Sequence, residues 1–313
     1  VEGPVSLRSS LPGRATIREV GPRDGLQGEA PLPVESRARL ISALSRCGLP
    51  KIEAVAFVSP KAVPAMAGAG EVWAKVERSP DVAYSALVPN RRGAEAALEA
   101  GGFSSLQAFL AASDGYNTHN VGKTVEESVE DVAGVVAAAS RAVPPVPVEC
   151  SISASFGDPF EGDVPPARVL EVAERLADLG VRGVSLGDTT GMATPTRVWE
   201  VAGLVRDRLP DLALNLHFHD TRGAAMANVL AALELGCNEF DASIGGLGGS
   251  PFAPGSNGNV ATEDLVSMLA DMGIETGVRS LEELLEASAL LHALVGHDLA
   301  SRVWRAAAPA SRD

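Results

Sequence analysis

Near the end of an apolar run, His217 and His219 flank Phe218 and are followed by Asp220. Alternate residues of an extended strand point to the same face, which places both imidazoles on one side, roughly 7 Å apart at the backbone. Two imidazoles at that spacing can hold a divalent ion, although a bare His-x-His is equally compatible with one core histidine beside an exposed one. With only 5 histidines in 313 residues, the choice turns on which other polar groups the fold brings to the pair.

Several such groups stand within or just after other apolar runs. Arg23 and Asp24 follow the run Thr16 to Val20, Glu53 lies inside Lys51 to Val58, and Asp188 and Thr189 follow Gly183 to Leu186. Asn259 closes the glycine-rich stretch that begins after Glu239 to Ile244. Each has an ordinary alternative, since Asp24 before Gly25 and Asp188 before Thr189 are also good turn residues. Taken together, one carboxylate, two imidazoles and an amide oxygen make a mixed N/O set. It suits Mg²⁺ or Mn²⁺ and also accommodates Zn²⁺ or Co²⁺. The same count of two histidines and one carboxylate describes mononuclear iron oxygenases. Arg23 beside Asp24 favours a different chemistry, because a fixed guanidinium next to a metal is placed to hold a developing oxyanion such as an enolate.

These groups need elements to position them. The eight short apolar runs are Thr16 to Val20, Lys51 to Val58, Val82 to Val88, Ser105 to Ala111, Val146 to Ser153, Gly183 to Leu186, Ala213 to Phe218 and Glu239 to Ile244. Between them lie stretches of helical periodicity, including Glu35 to Cys47, Val125 to Arg141, Pro166 to Leu179, Pro195 to Leu209 and Gly223 to Leu235. Alternating strands and helices imply parallel strands joined by right-handed crossovers. Eight such units predict an α/β fold of the (β/α)₈ TIM-barrel type, with catalytic groups at the C-terminal ends of the strands. An open, doubly wound sheet is the alternative, but the turn Gly21-Pro22-Arg23-Asp24-Gly25 lacks the dinucleotide fingerprint expected there. The barrel is expected over about 14–272, with an additional C-terminal helical segment over about 279–305 that includes an amphipathic helix from Leu281 to Leu294, the whole of 1–313 forming a single domain.

Composition narrows the setting. No run of about 18 apolar residues is present to span a bilayer, although 46% of the chain is hydrophobic. Val1 to Leu11 lacks the basic-then-apolar pattern of a secretory leader. A net charge of −14, with no basic cluster longer than Arg91-Arg92, argues against a nucleic-acid partner. Cys47, Cys150 and Cys237 have neither disulfide-framework nor zinc-ribbon spacing, so a reducing cytoplasm is expected.

From about residue 14 to 297 the chain resembles the 3-hydroxy-3-methylglutaryl-CoA lyase family, one of the metal-dependent TIM-barrel lyases and Claisen-type synthases. The motifs that carry the resemblance are Gly21-Pro22-Arg23-Asp24-Gly25-Leu26-Gln27, Phe57-Val58-Ser59-Pro60-Lys61, Ser185-Leu186-Gly187-Asp188-Thr189, His217-Phe218-His219-Asp220-Thr221 and Gly246-Leu247-Gly248-Gly249. Pro251 to Gly255 and Gly258 to Asp264 extend it. The resemblance implies retro-Claisen cleavage of a 3-hydroxy-3-methylglutaryl-CoA-like thioester to acetyl-CoA and acetoacetate. It further implies that Asp24, His217 and His219 ligate the metal, with Asn259 as a further ligand or near neighbour. Arg23 would stabilise the thioester enolate, Glu53 would orient Arg23 and a ligand histidine, and Asp188 would help to move the hydroxyl proton. Gln27 is then a polar neighbour on the substrate side, and a homodimer or higher homo-oligomer is expected. His119, after the fourth strand, is a further candidate for substrate contact, or else an exposed loop histidine. Lys61, Arg91 and Arg92 follow strands 2 and 3, where they could meet CoA phosphates.

Two positions depart from the family. Its glycine-rich loop reads Gly-Leu-Gly-Gly-Cys-Pro, whereas this chain has Ser250 at the cysteine position. The family cysteine acts in proton transfer at the acetyl enolate, and a serine hydroxyl is a far weaker acid than a thiol. Losing about 3 to 5 kcal/mol of proton delivery would slow turnover by roughly 10² to 10⁴. Ser250 therefore keeps two alternatives open. One is a lyase or aldolase acting on a different acyl-CoA or 2-oxo acid, and the other is a low-activity homologue that binds acyl-CoA. Asp158 replaces a second family cysteine, with an effect expected only at the rim of the site. The stretch from Gly245 to Asn259 is expected to be a lid that closes over the thioester and excludes water.

Overall fold

The computed structural model describes residues 11–249 and 258–307. Its strands are β1 (Thr16–Glu19), β2 (Lys51–Ala56), β3 (Ala83–Leu87), β4 (Ser105–Ala111), β5 (Val148–Ser153), β6 (Gly183–Gly187), β7 (Ala213–His217) and β8 (Glu239–Ala242). Neighbours pair in parallel and β1 pairs with β8, so the sheet closes into an eight-stranded (β/α)₈ TIM barrel. The helices between the strands are α1 (Val34–Arg46), α2 (Ala69–Lys75), α3 (Arg91–Ala100), α4 (Asp114–Val121), α5 (Val125–Ala139), α6 (Pro166–Asp178), α7 (Pro195–Arg208) and α8 (Ala225–Glu234). Three more follow the barrel: α9 (Thr262–Asp271), α10 (Leu281–Val295) and α11 (Arg302–Ala307). Among the described residues no helix is long and apolar enough to cross a membrane, and the three cysteines are buried and free.

The strands sort their residues by period 2. Ile17, Ile52, Leu106 and Ile152 join Leu40, Ile41 and Leu44 of α1 and Val169, Val172 and Leu176 of α6 in one apolar core. Intervening residues point into the barrel. Arg18 on β1 reaches Gln107 on β4 and Glu149 on β5, which is possible only across the interior. Barrels of this type usually fill that space with Val, Ile and Leu. Here it is polar, and the polar side chains form the floor beneath the strand ends.

Several strands stop earlier than the apolar runs suggested. β7 ends at His217, so His219 lies beyond the strand and forms an isolated bridge with Asn259 instead. β8 ends at Ala242, after which Ser243 bridges to Ala261. The helices not singled out in the sequence are α2, α3, α4 and α9, while α11 overlaps the end of the expected C-terminal helical segment. None exceeds 10 residues, and helices that short carry a weak periodic signal, although α8, also 10 residues long, shows one.

Two buried glutamates pin the turn after β8, from which the glycine-rich loop departs. Glu19 accepts from the amides of Gly21 at 2.7 Å and Ile244 at 2.9 Å and from Thr262 Oγ1 at 2.6 Å. Glu263 accepts the Gly245 amide at 2.9 and 3.0 Å and the Ser288 hydroxyl of α10. The Gly245 carbonyl in turn takes the amides of Ala300 and Ser301, so the C-terminal segment is fastened to the same turn. Burial pushes the Glu19 and Glu263 carboxyls up to about 7 each. An unfolded glutamate titrates near about 4.3, so the fold binds the Glu263 proton more tightly than the unfolded chain does. That contribution to stability is complete below the unfolded value and is lost as pH rises through about 7. For Glu263→Gln, the unfolding free energy measured in urea should fall less steeply between about pH 4.5 and 7 than for the parent. Identical slopes would show that Glu263 is not held protonated by the fold.

Candidate metal centre

The turn after β1 sets the first corner of the site. The amides of Arg23, Asp24 and Gly25 converge on the Val20 carbonyl at 3.1, 2.7 and 3.2 Å, which curls Gly21–Gly25 into one wide helical turn. Asp24 is buried at its centre. Oδ1 of Asp24 accepts from Arg23 Nη1 at 2.8 Å and from Gln27 Nε2 at 2.9 Å. Oδ2 accepts from Asn259 Nδ2 at 2.7 Å and lies 4.0 Å from His217 Nε2. Gly248 makes this approach possible: at its φ of +101°, a Cβ would sit 2.5 Å from Asn259 Nδ2.

The second corner is the histidine pair. His217 is the last residue of β7, and backbone bonds from Asp220 to Gly258 and from Val260 to Phe218 hold His219 beside Asn259. The two Nε2 atoms are 3.1 Å apart. One ligand atom each from Asp24, His217 and His219 falls within 4.8 Å of the other two. Asn259 Oδ1 and His219 Nδ1 are buried and have no hydrogen-bond partner among the described residues. Leaving a buried acceptor unmatched costs about 1 to 3 kcal/mol, and a cation would remove that cost for the Asn259 oxygen. Burial and the neighbouring His217 push His219 down to about 3, so it is neutral and able to donate a lone pair. Burial works to raise Asp24, yet Arg23, His217 and the Asn259 amide hold it below the ordinary aspartate value. An anionic oxygen, imidazole nitrogens and a free amide oxygen fit a divalent cation.

The remaining predicted residues fall around this cluster unequally. Arg23 Nε donates to Glu53, which is almost fully buried on β2. Glu53 was also expected to orient a ligand histidine, and that expectation fails. Among the described residues it hydrogen-bonds only Arg23, and the acceptor for His217 Nδ1 is Asp241 on β8, at 3.0 Å. Asp188, just past β6, ties its amide to the His217 carbonyl at 2.8 Å. Its Oδ1 accepts the Ala193 amide at 2.9 Å while its buried Oδ2 has no partner among the described residues, and burial pushes this carboxyl up to about 6.

His119 is exposed on α4 rather than in a loop. It takes part in a hydrogen bond to the Gly115 carbonyl and stacks on Phe160 with ring centroids 3.8 Å apart, outside the hydrogen-bonded cluster. Asp158 is fully buried and does more than line a rim. Its carboxylate accepts from Ser113 Oγ and from the amides of Tyr116, Phe160 and Glu161, fastening the start of α4 to the loop after β5. Lys61, Arg91 and Arg92 are exposed, and Arg91 pairs with Glu95. Ser250, and with it most of the expected lid, lies outside the described residues.

Asp241 and Arg18 escaped the sequence reading. Both sit inside apolar runs rather than at their ends, so only strand pairing reveals that they face each other and the histidine.

The HMGL-like family pattern matches residues 14–291. The chain belongs to the HMGL-like family. A hydroxymethylglutaryl-CoA lyase of Bacillus subtilis (strain 168) is 44% identical over 292 residues, spanning 93% of this chain and 96% of that protein. The crystal structure of a Bacillus subtilis HMG-CoA lyase matches with a TM-score of 0.91 at 43% identity, over 95% of this chain and 98% of that one. An HMG-CoA lyase from Acinetobacter baumannii, solved in complex with coenzyme A and 3-methylmalate, matches with a TM-score of 0.88 at 39% identity, over 96% of this chain and 97% of that one.

In this HMGL-like barrel, removing one donor of the cluster should abolish tight metal binding. Calorimetric titration with Mn²⁺ should show Asp24→Ala and His217→Ala weakened by roughly a hundredfold or more, beyond what loss of a supporting residue causes. Parent-like affinity in both variants would place the metal elsewhere.

Proposed function

We propose that this HMGL-like chain is a divalent-metal-dependent carbon–carbon lyase that cleaves 3-hydroxy-3-methylglutaryl-CoA, or a related 3-hydroxyacyl-CoA, to acetyl-CoA and a 3-oxo acid. The observation that carries the proposal is the convergence of Asp24, His217 and His219 within 4.8 Å, with Arg23 bonded to the same carboxylate. In this reading Asp24, His217, His219 and Asn259 hold Mg²⁺ or Mn²⁺, with Zn²⁺ and Co²⁺ compatible with the same donors. The ion would supply Lewis acidity that lowers the pKa of the substrate's tertiary alcohol.

The chain's own groups do the rest. Asp188, at about 6, is ionised near neutral pH and basic enough to take the hydroxyl proton. As the alcohol becomes a ketone, the bond between the carbinol carbon and the thioester methylene breaks. Its electron pair passes to the methylene as the acetyl-CoA enolate. Arg23 is anchored through Nε to Glu53 and through Nη1 to Asp24, while Nη2 has no hydrogen-bond acceptor among the described residues. That free donor would meet the enolate oxygen, where charge develops. Gln27, bonded to Asp24, and His119, on α4, are proposed to contact the substrate at the near and far sides. A final proton on the methylene carbon yields acetyl-CoA, and Ser250 or a water under the lid would deliver it.

Ser250 also supports a second reading, in which the same machinery serves another acyl-CoA or a 2-oxo acid, or binds acyl-CoA with little turnover. A cytoplasmic setting and a homodimer go with the first reading. So does a single domain, because the residues after α10 bond directly to the turn at Gly245. With Mg²⁺ or Mn²⁺ and 3-hydroxy-3-methylglutaryl-CoA, the protein should form acetoacetate, and Ser250→Cys should raise the rate at least about tenfold. Arg23→Met should lower kcat by roughly 10² to 10³. No acetoacetate from either the parent or Ser250→Cys would remove the first reading and leave the second.

A further inference from the structure

The barrel floor joins one side chain to the proposed ligand His217 by way of a carboxylate. Arg18 places Nε on Asp241 Oδ1 at 2.7 Å and Nη2 on Oδ2 at 2.9 Å, a two-pronged contact that fixes the plane of the carboxylate. The same carboxylate also accepts from Asn215 Nδ2 at 2.9 Å and His217 Nδ1 at 3.0 Å, with Ser185 Oγ a longer contact at 3.3 Å. On its far side Arg18 Nη1 is held by Gln107 Oε1 at 2.8 Å and Glu149 Oε2 at 3.0 Å. The guanidinium is 3% exposed, so it serves no solvent-facing purpose.

We propose that Arg18 is a positioning residue: by locking the Asp241 carboxylate it fixes the ring orientation and tautomer of His217, leaving Nε2 as the atom that faces Asp24 and His219. The inference rests on His217 being a metal ligand. A carboxylate held by one bond can swing about its own axis and lose the imidazole. A carboxylate clamped by a planar fork cannot, and a fork braced by β4 and β5 transmits the rigidity of the barrel to a side chain on β7. Partners of this kind typically govern metal affinity by ten- to a hundredfold.

The test compares the parent with Arg18→Lys and Arg18→Met by calorimetric titration with Mn²⁺ and by long-range ¹H–¹⁵N spectra of the histidines in the metal-free protein. Arg18→Lys keeps the charge among Asp241 and Glu149, and so protects the fold, but cannot grip both oxygens. The expected result is a Kd for Mn²⁺ raised ten- to a hundredfold in both variants, with the single Nδ1–H form of His217 replaced by an averaged signal. Should Arg18→Met fail to fold, Arg18→Lys decides. If the parent binds Mn²⁺ and Arg18→Lys matches it in Kd and in the His217 signal, the positioning role is overturned while the metal centre stands. A parent that binds no Mn²⁺ overturns both.

Discussion

The pairing of β1 with β8 is the constraint on which the site depends. Thr16 to Glu19 run parallel to Glu239 to Ala242, with Arg18 in register with Asp241. That seam closes the barrel and brings Asp24 against Asn259, 235 positions away along the chain. It also carries Glu19, whose carboxyl bonds both the turn after β1 and the turn after β8. Separating the two strands would part the carboxylate from the amide, release Arg18 from Asp241 and free both turns at once. Fold and site are therefore joined at one place, and the cost of bringing distant segments together is met by the barrel as a whole.

The electrostatics follow from what each carboxyl faces. Asp241 meets Arg18 and His217 and is held well below the usual carboxylate range despite the opposing effect of burial. Asp24 is likewise lowered by Arg23, although burial opposes it. Asp188 has only backbone donors and a more distant imidazole to offset burial, and so it rises to about 6. Carboxyls in one cavity are thus driven in opposite directions, one suited to remain an anionic ligand and another to exchange a proton near neutral pH. His219, held neutral by burial and by its neighbour His217, contributes an uncharged imidazole to the donor set.

Much of this was legible in the sequence, because residues at the ends of apolar runs report directly on the C-terminal rim of a barrel. Arg23, Asp24, Asp188 and the two histidines were found that way. Asn259 stands out as the residue that closes the glycine-rich stretch after the eighth run, and its place beside the metal is what the family resemblance implies. Glu53 was visible as a charge within an apolar run, but the histidine it was expected to orient belongs to Asp241. Choosing between them requires knowing which strands are neighbours, and β8 rather than β2 borders β7. Arg18 was illegible for the same reason, since its partners lie on β4, β5 and β8 and no local pattern links them. Asp158 reads as a rim substitution in the sequence, yet its carboxylate joins the start of α4 to the segment after β5, a contact set by the pairing of β4 with β5 that no local pattern shows.

In the proposed centre a divalent ion is held where the end of β7, the turn after β1 and Asn259 meet. Diffraction from crystals grown with Mn²⁺, collected at the manganese absorption edge, measures this directly. A bound ion should give one strong anomalous peak within about 2.4 Å of Asp24, His217 Nε2, His219 and Asn259 Oδ1. A peak ligated by other residues, or none in crystals that hold the cluster ordered, would contradict it.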